Sequence, residues 1–345
     1  MTGLYREITE QPAVLERLLA TVLPVARQAV ADIRASKVDW VLIAARGSSD
    51  NAATYAKYLF GIQNGLPVAL AAPSIYTIYG HPPRIKNALV IGISQSGRSP
   101  DIVAVLEQAR AEGLPTLAIT NTSDSPLTQA ARHVLPCNAG AEHSVAATKT
   151  YTAELVALAL LSVLLSDDAG RLAQVQRIPD AVAETLVAMK DVAQKAERYR
   201  YMQDCVVIGR GYNYATAFEA ALKLKELTYV GAQPYSSADF MHGPIAIVEP
   251  GYPVILIAPS GQVYQDLARL AENLGARRAD LVVISDEAKV LDLAQTPLRL
   301  PVTVPEWLSP VTAVLPAQLL AYHLALARGL DPDRPRGLRK ITETF

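Results

Sequence analysis

Apolar and polar positions alternate along the chain in a repeating order. Behind Pro12, Val14, Leu15, Leu18, Leu19 and Val22 recur at helical spacing and predict an amphipathic N-terminal helix. Short unbroken apolar runs follow at 40–45, 68–71, 88–93, 116–120 and 134–137, with helical patterns between most of them. Runs without alternation read as strands buried on both faces. Their interleaving with helices predicts an α/β fold with a central parallel sheet covered on both sides. A long apolar helix is expected over 147–165, and the polar stretch 166–170 marks a boundary. A linker occupies 171–198, helical from residue 179 onward.

The second half restarts the pattern. The run Val206 to Gly211 resembles Val41 to Gly47, Val254 to Gly261 resembles Val90 to Gly97, and Leu281 to Ser285 resembles Thr116 to Thr120. Gly47 to Gly211 and Gly97 to Gly261 are both offsets of 164, and Ile119 to Ile284 is 165. A nearly constant offset across three elements indicates an internal duplication. At 345 residues two domains are the default. The organisation expected is an N-terminal helical segment (1–35), a first α/β domain (36–170), the linker (171–198), a second α/β domain (199–330) and a C-terminal tail (331–345).

Composition narrows the function. Half of the residues are hydrophobic, 19% are charged and the net charge is −1, which argues against a nucleic-acid or membrane-surface role. The two cysteines and five histidines show no metal-ligand spacing, so no metal and no cofactor are implied. The start lacks a signal-peptide pattern, and the apolar segment Leu155 to Leu165, interrupted by Ser162, is read as too short to span a bilayer. A cytoplasmic protein without a membrane partner is expected.

Two stretches carry chemistry. The first is the strand, loop and helix start around Ser94, Gln95, Ser96, Gly97 and Ser99, closed by Pro100 and Asp101. A helix start presents unpaired N–H groups and the positive end of the macrodipole, and the serines add donors, which together suit a phosphate. The same residues also build ordinary helix caps, and the loop matches neither the Walker nor the dinucleotide fingerprint. In the second copy Pro259 removes a backbone donor, which leaves the first copy as the phosphate-binding half. Gly209 and Gly211 hint at a dinucleotide loop, but Tyr214 stands at the third glycine position. The second stretch is the helix after Gly211. At about 100° per residue, Glu219, Lys223 and Glu226 fall in a stripe roughly 60° wide on an otherwise mostly apolar helix. Either it is a surface ion pair, or it lines a cavity where a carboxylate moves a proton next to a carbonyl while the ammonium steadies developing negative charge. His242, before Gly243 and Pro244, is a candidate proton shuttle, and Lys340 a candidate carbonyl partner if the basic tail folds back.

Gly47-Ser48-Ser49, Ser94 to Gly97, Val145 to Lys149, Glu219 to Glu226, His242 to Pro244 and the tail from Pro335 to Lys340 occur in that order, preceded by Glu7 to Pro12. This ordered set resembles the double sugar-isomerase (SIS) module of glucosamine-6-phosphate synthases and related free-standing enzymes, over nearly the whole chain. The resemblance implies two tandem α/β/α SIS domains. It also implies a phosphosugar held by Ser49, Ser94, Gln95, Ser96 and Ser99, with Ser48 and Val145 near the sugar and Gly47, Gly97 and Glu219 in support. In such enzymes the residue matching Glu226 moves the proton between C1 and C2. The residue matching Lys223 assists, that matching His242 helps open the ring, and that matching Lys340 contacts or condenses with the open-chain carbonyl. A homodimer that shares the His242 loop across subunits is the implied assembly.

The departures bear on the reaction. A full synthase begins Met-Cys-Gly with a glutaminase domain, whereas this sequence begins Met-Thr-Gly. Arg98 stands where the synthases usually have Glu, and Ala147 where they usually have Ser. The stretches Arg46 to Asp50 and Ser144 to Lys149 look closer to the free-standing deaminases. The reaction expected first is glucosamine 6-phosphate plus water giving fructose 6-phosphate plus ammonia. A synthase-type isomerase half using free ammonium or a separate ammonia source, a deglycase for fructosamine phosphates, and a non-catalytic phosphosugar-sensing module remain alternatives.

Overall fold

The structure, a computed structural model, describes residues 2–340. Ten strands among these residues form two five-stranded sheets, every pairing parallel. The first holds β1 (Trp40–Ala44), β2 (Val68–Leu70), β3 (Ala88–Ile93), β4 (Thr116–Thr120) and β5 (His133–Pro136) in the order β2-β1-β3-β4-β5. The second holds β6 (Asp204–Gly209), β7 (Gly231–Ser236), β8 (Pro253–Ile257), β9 (Asp280–Ser285) and β10 (Thr296–Arg299) in the order β10-β9-β8-β6-β7. Read from its other end, the second order is the first repeated. The register repeats as well. Val41 pairs with Leu89 and Val206 with Val254, so both partners advance by 165 positions. The duplication expected from the sequence is thus present in the topology.

Strands β7 and β10 escape the sequence reading because both lie at sheet edges and carry a proline, Pro234 and Pro297. A proline withholds one ladder donor and is tolerated where one side of the strand has no partner. The linker is a second correction. In place of one continuous helix, the chain runs through Ala169–Gln176, Ile178–Ala188 and Val192–Glu197.

The helices Lys149–Ser166 and Ser309–Ala327 are buried along most of their length and apolar on every side apart from a few polar positions such as Glu154 and Gln318. The sequence reading judged the segment Leu155 to Leu165, within the first of them, too short to span a bilayer. By length and hydropathy the segments Lys149–Ser166 and Glu306–Ala327 both reach membrane-spanning size, yet 89% and 83% of their apolar windows are buried inside the protein. A helix apolar on every side belongs wherever all sides are covered, and here protein does the covering.

Two compact units emerge. The front unit contains Ala13–Glu142, Lys149–Arg177 and the chain from Arg339 onward. The rear unit contains the chain through Pro12, His143–Thr148 and Ile178–Leu338. These divisions cut across the boundaries read at 35, 170 and 331. Leu4, Ile8 and Ala146 are fully buried in the same apolar cluster as Ala217, Leu224 and Leu320, which takes the first helix and the 143–148 loop into the rear unit.

Gly209 ends β6, and a Cβ there would stand 2.1 Å from the main-chain oxygen of Asn213. Backbone cannot yield as a side-chain tip does. Gly209→Ala is therefore expected to cost at least the upper end of the usual overpacking penalty of about 1–3 kcal/mol, read as a lower Tm in thermal unfolding.

Candidate active site

Parallel sheets of this strand order change winding direction between the first and third strands, and ligands of such folds bind outside the carboxyl ends of the strands at that point. In the front unit this is where β1 and β3 end. The loop after β1 leads through Gly47, at φ +57°, into the helix Ser48–Asn64. The loop after β3 runs from Ser94 to Ser99 into the helix Pro100–Ala111.

The β3 loop is held from beneath. The Gln95 carbonyl accepts from Asn121 N (3.1 Å) and Thr120 Oγ1 (3.3 Å), and the Gly97 carbonyl from Leu127 N (3.1 Å). Gly97 sits at φ +64°, and a Cβ there would approach Ser125 Oγ to 2.2 Å, so only glycine fits. Ser94 Oγ accepts from Gly97 N (3.2 Å) and Ser96 Oγ from Arg98 N (3.3 Å), which leaves each hydroxyl proton available to a ligand. Ser99 occupies the N-cap without a side-chain capping bond. An exposed Arg46 reaches the buried carboxylate of Asp101 (2.9 Å) and ties the β1 loop to the helix after β3.

Ser48 and Ser49 open the neighbouring helix, but the Ser49 hydroxyl donates to the buried Glu154 (2.9 Å). The sequence reading gave Ser49 to the phosphate. In the structure its side-chain proton is engaged, and its remaining contribution is a backbone N–H in the first turn. Lys340 also belongs to this unit. Its ammonium meets the buried Glu142 carboxylate at 2.7 Å, where Thr150 N (3.2 Å) and Thr150 Oγ1 (2.8 Å) also donate.

The rear copy of the β3 loop is closed by the protein's own carboxylates. Glu306 accepts from Gln262 N (2.9 Å) and Val263 N (3.4 Å), and Asp286 from Ser260 N (2.7 Å) and Ser260 Oγ (2.6 Å). The donors that the front loop leaves open are satisfied from within in the rear one.

The rear unit supplies acid–base groups instead. On the helix Tyr214–Thr228, Lys223 Nζ lies 3.3 Å from Glu219 Oε1 and 2.6 Å from Glu226 Oε2. The side chains of Glu219 and Lys223 are 0% and 1% exposed, whereas Glu226 keeps 21%. This rules out a surface ion pair. Two groups are sealed in the core, and the third opens to solvent. Burial works against the Lys223 charge, but the adjacent carboxylates of Glu219 and Glu226 outweigh it and hold the ammonium above its ordinary value. The result is an accessible carboxylate backed by a permanent cation. The helix ends at Tyr229, at φ +61°, whose hydroxyl accepts from Arg336 N (2.8 Å) and whose ring lies 4.0 Å beneath the Arg336 guanidinium.

Val145 is half-buried on the 143–148 loop of this unit. His242 is exposed at the end of the short helix Ser237–Met241, and its ring makes no hydrogen bond or ion pair with the triad among the described residues. Glu7, Glu142 and Glu154 were not singled out by the sequence reading. Their one signal is that Glu7 and Glu142 lie in or beside motifs it quoted. No group of three or more His, Cys, Asp or Glu among the described residues could hold a metal ion.

Comparison with known proteins returns the SIS domain over residues 36–164 and 203–328. A glutamine–fructose-6-phosphate aminotransferase (isomerizing) of Pyrococcus horikoshii is 37% identical over 342 residues, covering 97% of this chain and 56% of its own length. The chain thus spans about half the length of the curated relatives it matches. A Silicibacter pomeroyi crystal structure, provisionally described as a phosphosugar isomerase, matches with a TM-score of 0.87 and 34% identity over 96% of this chain and 100% of that one. The glucosamine-6-phosphate deaminase of Thermotoga maritima matches with a TM-score of 0.81 over 99% of this chain and all of that one. At 22% identity that likeness shows the fold alone.

Lys223→Met leaves two carboxylates without their cation and is expected to destabilise by about 3–5 kcal/mol. A group whose folded pKa is raised contributes fully below its unfolded value and loses that contribution only as pH climbs through the folded one. The ordinary lysine value is 10.5, so the Lys223 contribution persists across neutral pH and disappears only in strong alkali. Denaturant titrations of wild type and Lys223→Met at about pH 7 should read this difference directly.

Proposed function

The chain belongs to the SIS domain family, and from that premise we propose that it is an amino-sugar phosphate isomerase that releases ammonia, converting glucosamine 6-phosphate and water to fructose 6-phosphate and ammonia. The observation that carries this reading is the buried Glu219–Lys223–Glu226 array, in which only Glu226 opens to solvent. A sensing module would need the serine loop but no sealed ammonium behind an accessible carboxylate.

In the proposed reaction the hydroxyls of Ser94, Ser96 and Ser99, with Gln95, hold the phosphate. The Ser49 backbone N–H joins them, and Ser48 and Val145 meet the sugar. His242 assists opening of the ring. Glu226 removes the proton from C2 of the open-chain aldehyde, and the Lys223 ammonium beside it steadies the negative charge that develops. Return of that proton to C1 leaves a ketimine at C2, which water hydrolyses to the ketone and ammonia. The Lys340 ammonium, fixed by Glu142, is the group offered to the carbonyl oxygen.

His242 stands on an exposed loop with Met241 and Ile247, large apolar side chains that are also exposed. These features support a homodimer in which His242 serves the site of a second copy. The 37% identity to an isomerizing aminotransferase favours a second reading, the same chemistry run toward glucosamine 6-phosphate from fructose 6-phosphate and ammonium.

Purified chain should release ammonia and ketose phosphate from glucosamine 6-phosphate. Glu226→Gln should lower kcat at least a hundredfold, in line with the roughly 10²–10⁴-fold worth of a general base, and still bind the phosphosugar. Ser96→Ala should raise KM by about tenfold, for one hydrogen bond to a charged group, with a smaller change in kcat. Glucosamine 6-phosphate formed only from fructose 6-phosphate and ammonium would select the second reading. Tight phosphosugar binding with no turnover in either direction would replace both readings with sensing.

A further inference from the structure

The loop His143–Thr148 lies in sequence between β5 and the helix Lys149–Ser166 of the front unit, yet it belongs by contact to the rear unit. Two attachments on that side hold it. Ala146 is fully buried in one apolar cluster with Leu4 and Ile8 of the first helix and with Ala217, Ala220, Ala221 and Leu224 of the acid–base helix. One residue earlier, the main chain is bound by a carboxylate. Glu7 Oε1 accepts from His143 N (2.5 Å) and Ser144 N (3.3 Å), and Glu7 Oε2 accepts from Ser144 N (3.2 Å).

Glu7 is itself firmly placed. It is 4% exposed, on the helix Gly3–Thr9. Thr2 caps that helix, and Asp333 accepts from the N–H groups of Gly3 and Leu4 (both 2.8 Å). The Tyr5 ring lies 5.3 Å from that of Tyr322 on the helix Ser309–Ala327. Core packing alone would have been met by Leu4 and Ile8. A carboxylate that takes two successive main-chain donors does something packing does not, because it fixes the direction in which the next residue, Val145, leaves.

We propose that Glu7 is a positioning residue for the sugar moiety of the amino-sugar phosphate: it sets the main chain at Ser144 so that Val145 keeps a defined place on the unit that carries Glu226. This rests on the reading of Val145 as a sugar contact given above. Glu7 touches no reacting atom and acts only through the loop. A glutamine at this position keeps the volume but offers one acceptor oxygen, while an aspartate keeps the charge on a shorter stem.

The test compares wild type, Glu7→Gln, Glu7→Asp and Ile8→Val as full-length chains. It uses steady-state kinetics on glucosamine 6-phosphate, thermal unfolding, and amide hydrogen exchange across 143–148. Glu7→Gln should speed exchange at His143 and Ser144 and raise KM about tenfold, the worth of one charge-assisted hydrogen bond, with kcat changed less. Glu7→Asp should recover part of that loss, and it carries the comparison if the glutamine variant does not fold. Ile8→Val, which loosens the apolar cluster shared with Ala146 but keeps the Glu7 carboxylate on the loop main chain, should lower Tm and leave KM in place. Faster exchange at Ser144 with an unchanged KM would overturn the inference, as would a KM that follows Tm in all variants alike. A wild-type chain inactive on amino-sugar phosphates in both directions would remove the proposed function instead, and this inference with it.

Discussion

An ammonium enclosed by two carboxylates sets the terms for the rear half of this protein. Lys223 has lost its water, and the carboxylates of Glu219 and Glu226 make that burial tolerable. The arrangement follows from helix geometry, since positions four and three residues apart share a face, so one helix supplies all three charges at fixed spacing. What surrounds them has to be dry and rigid. Small residues on the same helix, Ala217, Ala220 and Ala221, are buried against the largely apolar helix Ser309–Ala327, and the Tyr229 cap with Arg336 stacked on it finishes the end. The core is packed closely so that a charge can be held at a known place.

The front half solves a different problem. It leaves donors unmet where an anion can take them, and it does so by spending backbone freedom at Gly97 and by anchoring the Gln95 and Gly97 carbonyls to the end of β4 and its following helix. Rigidity of the loop matters here because hydroxyls that need no reorganisation lose little on binding.

Much of this was legible in the residues. Unbroken apolar runs gave the central strands to within a residue or two, and the constant spacing between the copies gave the duplication, because a strand buried on both faces has no polar position to blur its limits. The triad was legible as a stripe, but not its burial, which depends on helices far away in sequence. The edge strands β7 and β10 were missed for a local reason, since Pro234 and Pro297 break the pattern that central strands must keep. The compact units take in residues from beyond the boundaries read at 35, 170 and 331 for a long-range one. Pairings such as Glu7 with Ser144, 137 positions apart, leave no periodic trace. The engagement of Ser49 by Glu154 was hidden for the same reason, since a serine in a promising motif looks the same whether or not a buried acid has claimed its proton.

The carboxylates of Glu306 and Asp286 give the duplication a direction. When a fold is copied in tandem, both copies inherit a concentration of unpaired donors at the same bend, and each must answer it or expose it. The rear copy carries its counter-charge in its own sequence and has become self-sufficient, so a visiting anion would have to evict covalently tethered acids whose local concentration no free solute matches. Redundancy between the halves was thereby lost, and a chain with two equivalent scaffolds is left with one bend open to a guest.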